Sequence, residues 1–590
     1  MVTGSDNQHY EVRSPSQPGL RLAFPGGFSF TPSMHPLRLF ASTAMATALV
    51  LRTLAANAEA PSPASFWLES AVFYEIYPQS FRDSNGDGIG DLRGVIEKLP
   101  YLHDLGVTGL WLNPCFESPF RDAGYDVADF YKVAPRYGTN DDLRNLFAEA
   151  RKLGMHVMLD LVAGHTSDQH PWFRESQRHE RNRYTDWYIW TNSVWTWSAP
   201  NQQVVVGAAE RDANYIPNFF YFQPALNYGY AQPDPKTPWQ QPVDAPGPQA
   251  VRAELKNIMR FWFDLGASGF RVDMAGSLVK NDPDGRATAA LWHEFRAWMD
   301  REYPDRALVS EWSTPQVAIP NGFHMDFLLP FNKPGYASLF RKTAPDATAF
   351  FDRSGRGDIR KFLDEFEPLY AATKRQGFIA IPTGNHDTVP RIGDGRNGRD
   401  LAVAYAFLLT MPGVPFIYYG DEIGMRSIPG LPSKEGGFGR TGARTPMQWD
   451  GSTNAGFSTA PADRLYLPID PALDRPSVAA QWDVPDSALN TARALVALRH
   501  AHPALGASGD FTTLLAEAGK LPFVYERAKG GERILVALNP SAQPCAARLP
   551  AEVNAASLRV LAGETAAFRR DAQGWAVNLP PVSYAVVKLE

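Results

Sequence analysis

Apolar positions along the chain change period in a regular way. Runs of strand length that are apolar throughout alternate with stretches in which apolar residues recur at helical spacing. The spacing predicts a strand over 71–78 (AVFYEIYP), a helix over 92–106, a strand over 107–114 (VTGLWLNP), a helix over 140–154 and a strand over 155–162 (MHVMLDLV). The 140–154 helix has an Asn/Asp start and a Gly stop. Strands with no polar face are buried on both sides, as in a parallel sheet covered by helices. After His165 the rhythm stops for roughly 70 residues rich in Trp, Tyr, Asn, Gln and Pro, too long for a connector and so read as an inserted subdomain over 164–236. It resumes with helices at 249–265 and 286–302 and strands at 269–273, 306–311, 323–328, 377–384 and 414–420. Eight strands favour a closed (β/α)8 TIM barrel, built from 66–163 and 237–504. From 505 to 590 the helices give way to FVYER, RILVALN and YAVVKLE, the pattern of a small antiparallel β-sandwich.

The strand at 269–273 carries Arg271 and Asp273, two residues apart and therefore on one face. Burying charge is costly unless it is paired or used. In a barrel of this kind the C-terminal strand ends line the active site. Those ends bring Asp160 and His165 from the third strand, Arg271 and Asp273 from the fourth, Glu311 from the fifth, and His386 and Asp387 from the seventh. Two carboxyl groups on one rim can run glycoside hydrolysis, one as nucleophile and one as acid and then base. Arg271 beside Asp273 predicts a lowered pKa and an ionised nucleophile. Glu311, with no cation adjacent in sequence and Trp312 next to it, predicts a raised pKa and a proton donor.

The segments DLVAGHTSD, GFRVDMA, SEW and GNHD occur in that order and resemble the ordered regions of the α-amylase family, glycoside hydrolase family 13. FYEIYPQSFRDSNGDGIGDLRGV, GYDVADFYKVAPRYGT, PFIYYGDEIGM and RTPMQWD are similar to the oligo-1,6-glucosidase and α-glucosidase branch, and the likeness runs from about Ser70 to His502. The resemblance implies retention of configuration, with Asp273 as nucleophile, Glu311 as acid/base and Asp387 as transition-state stabiliser. It further implies that His165 and His386 bind sugar hydroxyls, that Tyr125 stacks on the sugar, and that Asp126 and Arg444 hold the non-reducing end. The implied activity is an exo-acting retaining α-glucosidase for α-1,4 or α-1,6 bonds of short oligosaccharides. Rival readings are a trehalose synthase-like transglucosylase or isomerase, since TSDQHPWF is also found in that group, and an α-amylase.

The loop DSNGDGIGD (83–91) alternates Asp83, Asn85 and Asp87. Its twelfth position is Gly94 rather than Glu, so it is not an EF-hand, although its oxygens suit a hard cation. In the resembling branch this loop binds calcium, with Asp91 and the Ile89 carbonyl completing the set. Several positions depart from the family pattern: Gly164 stands where Asn is common, Ala225 where an acid is, Arg391 one residue late, and Gly276-Ser277 in place of a Lys-His pair. Met274, after the nucleophile, is neither usual choice, so linkage preference stays open.

Composition narrows the partners. A net charge of -6 offers no polycationic surface for nucleic acid. Two cysteines, Cys115 and Cys545, form neither a disulfide framework nor a metal spacing. Residues 34–60 read as a signal peptide: a charged start through Arg38, an apolar run from Leu39 to Leu51 too short to span a membrane, and small residues at Ala56, Ala58 and Ala60. Export to the periplasm or the outside of a bacterial cell follows. Residues 1–33, rich in Ser, Pro and Gly, read as disordered or upstream of a true start at Met34. The oligomeric state is left open.

Overall fold

The computed structural model describes residues 63–590 except Pro200, Ala208 and Ala566. The expected signal peptide and the segment before it lie outside the described residues. Eight parallel strands close into a barrel: β1 (Phe73–Ile76), β2 (Gly109–Leu112), β3 (His156–Leu161), β4 (Gly269–Val272), β5 (Ala307–Ser310), β6 (Met325–Phe327), β7 (Phe378–Pro382) and β8 (Val414–Tyr418), each beside its sequence neighbours and β8 beside β1. The expected TIM barrel is therefore present. One face of each strand fills the interior with Phe73, Trp111, Met158, Val309, Met325, Phe327 and Phe416, while the other face packs on the helices.

The helix at Asn140–Lys152 is capped by Thr139, which exchanges hydrogen bonds with Asp142, and stops before Gly154 in the left-handed region. The expected 92–106 helix is two pieces, Leu92–Glu97 and Leu99–Leu105. Pro100 has no N–H and its ring crowds the carbonyl four residues back, so the ladder breaks at Lys98. Between β3 and the helix Pro246–Leu265 the chain forms irregular loops, isolated bridges and one short helix, Pro171–Ser176, around Ile189, Ile216, Ala225 and Tyr230.

The C-terminal strands form a five-stranded and a three-stranded antiparallel sheet. Period-two alternation explains their placement. In Phe523–Lys529, Phe523 and Tyr525 face the barrel side with Phe407, whereas Val524 turns to the second sheet with Val577 and Leu579. Among the described residues no helix is long and apolar enough to cross a membrane.

Candidate active site

The sheet register builds the site. Arg271 lies opposite Asp160 on one side and Val309 on the other. The ladder then runs one step past the strands: Asp273 N–H donates to the Leu161 carbonyl and Glu311 N–H to the Val272 carbonyl, each at 3.0 Å. Asp160, Asp273 and Glu311 are thereby set around one guanidinium. Arg271 Nη1 donates to Asp160 Oδ1 and Asp273 Oδ1, both at 2.9 Å, and Nη2 lies 2.6 Å from Glu311 Oε1. Glu311 Oε2 accepts the Met274 N–H at 3.0 Å. Among the described residues Asp273 has no further side-chain partner, so its Oδ2 is unengaged.

Asp387 completes the rim. Its Oδ1 takes Arg440 Nη1 at 2.6 Å and Arg444 Nη2 at 2.9 Å, and its Oδ2 lies 3.4 Å from His386 Nε2. Tyr125 stacks on the His386 ring, 5.3 Å between centroids, and its hydroxyl donates to Asp160 Oδ2 at 2.9 Å. Below them Glu75, at the heart of β1, reaches His386 Nδ1 at 2.8 Å. A cavity of about 560 Å3 opens above, lined by Tyr125, His165, Asp273, Glu311, His386, Asp387 and Arg444, with Phe219, Trp312 and Phe331 also in its wall.

Arg271, Arg440 and Arg444 face Asp122, Asp160, Asp273, Glu311 and Asp387, so carboxyl groups outnumber cations. Burial pushes Glu311 up to about 8, the charges of Asp273 and Asp387 adding to it against the pull of Arg271. Burial also carries Asp273 upward; Arg271 opposes it, and Asp160 and Asp122 reinforce it. The lowered pKa expected for Asp273 from its neighbour in sequence is thus corrected, because desolvation outweighs a cation shared with two other acids. The contrast with Glu311 needs correcting too, since Arg271 touches both. Asp387 behaves oppositely: burial would raise it, but His386, Arg444, Arg440 and Arg271 together hold it well below the usual carboxylate range.

Two expected sugar contacts are placed differently. Asp126 does not face the cavity. Its oxygens accept the Arg121 and Asp122 amides and the Ser118 hydroxyl, each at 3.0 Å, inside a tight turn. Asp122, four residues earlier, lines the cavity instead, held by Gln223 Nε2 at 2.7 Å and pushed up by burial to about 6. His165 is in the wall, but its Nε2 is 3.1 Å from the Tyr125 carbonyl and its Nδ1 3.2 Å from Asn218 Nδ2. Both nitrogens already have protein partners. Arg440, to which the sequence pattern gives no role, also lines the cavity and donates to Asp387.

The 83–91 loop is folded on its own amides. Asp83 accepts from Asn85, Gly86 and Gly88, Asn85 accepts from Asp87, and Asp87 from Ile89. Asp91 accepts from Ser84 and caps the helix that follows through Gly94. Among the described residues no group of three or more His, Cys, Asp or Glu is gathered for a metal. The donor types at these positions, hard oxygens at alternate residues with the Ile89 carbonyl among them, do suit calcium.

The catalytic-domain model of alpha-amylase matches residues 75–508. The chain belongs to the alpha-amylase family. A maltogenic amylase C-terminal domain model matches 511–586, the antiparallel sheets. This alpha-amylase family protein is 35% identical over 493 residues to a trehalose synthase/amylase TreS of Mycolicibacterium smegmatis, covering 76% of this chain and 78% of the relative. It is 31% identical over 544 residues to an oligo-1,6-glucosidase of Parageobacillus thermoglucosidasius, covering 82% and 92%. Its fold is similar to the crystal structure of the trehalulose synthase MutB from Pseudomonas mesoacidophila MX-45, with a TM-score of 0.72 and 28% identity over 89% of this chain and 99% of that one. As a family member with glucosidase-named relatives, the protein is a glycoside hydrolase.

Proposed function

We propose that the protein is an exo-acting, retaining α-glucosidase that removes one glucosyl unit at a time from short α-linked oligosaccharides. The observation that carries this reading is the set of carboxyl groups on one guanidinium: Asp273 with a free Oδ2, and Glu311, whose burial raises its pKa and favours the protonated form. Asp273 Oδ2 attacks the anomeric carbon as Glu311 gives its proton to the departing oxygen, leaving a glucosyl ester on Asp273. Water then attacks that carbon, Glu311 takes the water's proton, and Asp273 leaves. Asp387, held ionised, faces the positive charge that develops on the ring. Asp122 and Arg444 in the wall supply acceptors and donors for the terminal glucose, which favours attack from chain ends.

A second reading, transfer of the glucosyl unit to a sugar rather than to water, has its own support. Phe219, Trp312 and Phe331 form an apolar side to the cavity. A further hollow of about 850 Å3, lined by Lys342, Arg353 and Val389, shares Phe331 and Asp387 with it and could seat an acceptor. The trehalose synthase/amylase TreS and trehalulose synthase relatives favour the same reading. Incubation with maltose and chromatography of the products decides between them. Glucose alone supports hydrolysis, trehalose or longer sugars support transfer, and no reaction on any α-glucoside refutes both.

A further inference from the structure

Lys280 lies seven residues beyond Asp273, where the loop after β4 meets the insert. Its backbone N–H donates to the Gly229 carbonyl and its carbonyl accepts the Ala231 N–H, each at 2.9 Å. Its ammonium is not spent on an acid. It donates to Asn218 Oδ1 at 2.9 Å and to the Ser277 carbonyl at 2.7 Å. An ammonium can only donate, so Asn218 must turn Oδ1 toward it and Nδ2 away. Nδ2 then meets His165 Nδ1 at 3.2 Å and Met274 Sδ at 3.7 Å. His165 Nδ1 must therefore accept, which puts the ring proton on Nε2, 3.1 Å from the Tyr125 carbonyl, a group that can only accept. Both ends of the ring demand the same tautomer. Gly164 makes the arrangement possible, because a Cβ there would stand 2.6 Å from Asn218 Nδ2. The Ser277 carbonyl belongs to the same turn as Met274, whose backbone sits in the left-handed region at φ 44°.

We propose that Lys280 and Asn218 are positioning residues, which fix the tautomer of His165 and the seat of Met274 in the wall of the glucosyl site. The proposal rests on reading that cavity as the place where the glucosyl unit binds. Asn218→Asp tests it with little change of shape. The new carboxylate still takes Lys280, but it cannot donate to His165 Nδ1, so that nitrogen must carry a proton. Expected are an unchanged or higher melting temperature, a roughly 10–100-fold loss of kcat/KM on maltose, as when an outer hydrogen-bond partner of a site residue is removed, and ¹⁵N shifts of the His165 ring that report a protonated Nδ1. Lys280→Met, which frees the amide to turn, should give a comparable kinetic loss and a mixed tautomer signature. Kinetics like the parent enzyme in Asn218→Asp, or unaltered His165 ¹⁵N shifts, overturn the proposal; should Lys280→Met fail to fold, Asn218→Asp still decides. Were the parent enzyme inert on every α-glucoside, the functional reading would fail, and the ¹⁵N shifts would still judge this inference alone.

Discussion

Glu311→Gln separates the chemical roles most cleanly. The side chain keeps its size and can still accept from Arg271, but it has no proton to give. At pH 6, below its titration near 8, Glu311 is mostly protonated. The parent enzyme is thus armed as an acid, and the variant should lose the whole of general acid–base assistance, about 10²–10⁴-fold. That corresponds to about 2.7–5.4 kcal/mol of barrier at ~1.36 kcal/mol per decade. The loss should appear on maltose, whose departing alkoxide needs the proton. A dinitrophenyl α-glucoside needs none, so its first step should survive and release a burst of phenol equal to the enzyme present. Azide needs no base to attack, and should raise the steady rate and give α-glucosyl azide, since two inversions restore configuration. With maltose, kcat/KM of the parent should fall above about pH 8, where Glu311 loses its proton; the residual rate of the variant should be flat there. Equal losses on both substrates, or an alkaline limb that persists in the variant, would refute the role given to Glu311.

Four other outcomes are expected. Asp273→Asn should abolish turnover while maltose still binds by calorimetry; near-normal activity would rule it out as the nucleophile. Asp122→Ala should cost roughly 10–150-fold in kcat/KM on maltose, the loss of a charged hydrogen bond of about 1.5–3 kcal/mol, whereas Asp126→Asn should lower the melting temperature because its turn loses amide acceptors; the reverse pattern would restore Asp126 as the sugar ligand. Glu311 has its folded-state pKa raised from 4.5 to about 8, so its ionisation costs stability increasingly as pH rises through that window, and Glu311→Gln should gain melting temperature over the parent at pH 8 more than at pH 5. We propose that the 83–91 loop takes calcium through Asp83, Asn85, Asp87, Asp91 and the Ile89 carbonyl. A chelator should then lower the melting temperature, by the loss of about 2.7 kcal/mol if calcium stood at ~100 times its Kd; an unmoved melt counts against the loop as a metal site.

Much of the barrel was legible because its strands are buried on both faces and so read as unbroken apolar runs. The helices Arg360–Thr373, Gly398–Thr410 and Ala488–Ala501 were not. The second is buried on nearly every side, between the barrel and the C-terminal sheet, and so shows no amphipathic period. The first carries Pro368 in its interior. In the site, the strand-end carboxyl groups were legible because chain order and barrel topology fix where strand ends go. What failed was adjacency. Arg271 and Glu311 are forty residues apart in sequence and neighbours in the sheet, a relation only register supplies. Choosing between Asp122 and Asp126 depended on a turn in which Phe120 and Ala123 have positive φ, which hands the backbone amides to Asp126 and turns Asp122 outward. Arg440 comes from a six-residue 3-10 helix, Phe438–Ala443, too short and too polar to show a periodic signal.

The centre of the site is a guanidinium rather than an ammonium for a geometric reason. Asp160 and Asp273 share Nη1 while Glu311 takes Nη2, so one cation serves acids from three strands in fixed directions. A lysine presents a single point of charge and cannot span both ends of that fork. The flat ion also packs against Trp111 and Tyr125, whose ring centres are 5.1 and 5.7 Å away. Burial is the main force that keeps a proton on Glu311, and one cation among three buried acids leaves them under-compensated, which adds to it. Full neutralisation of the rim would make a quieter core and a poorer acid. Burial and the low ratio of cations to carboxyl groups around Arg271 therefore act together to give Glu311 its capacity to donate a proton.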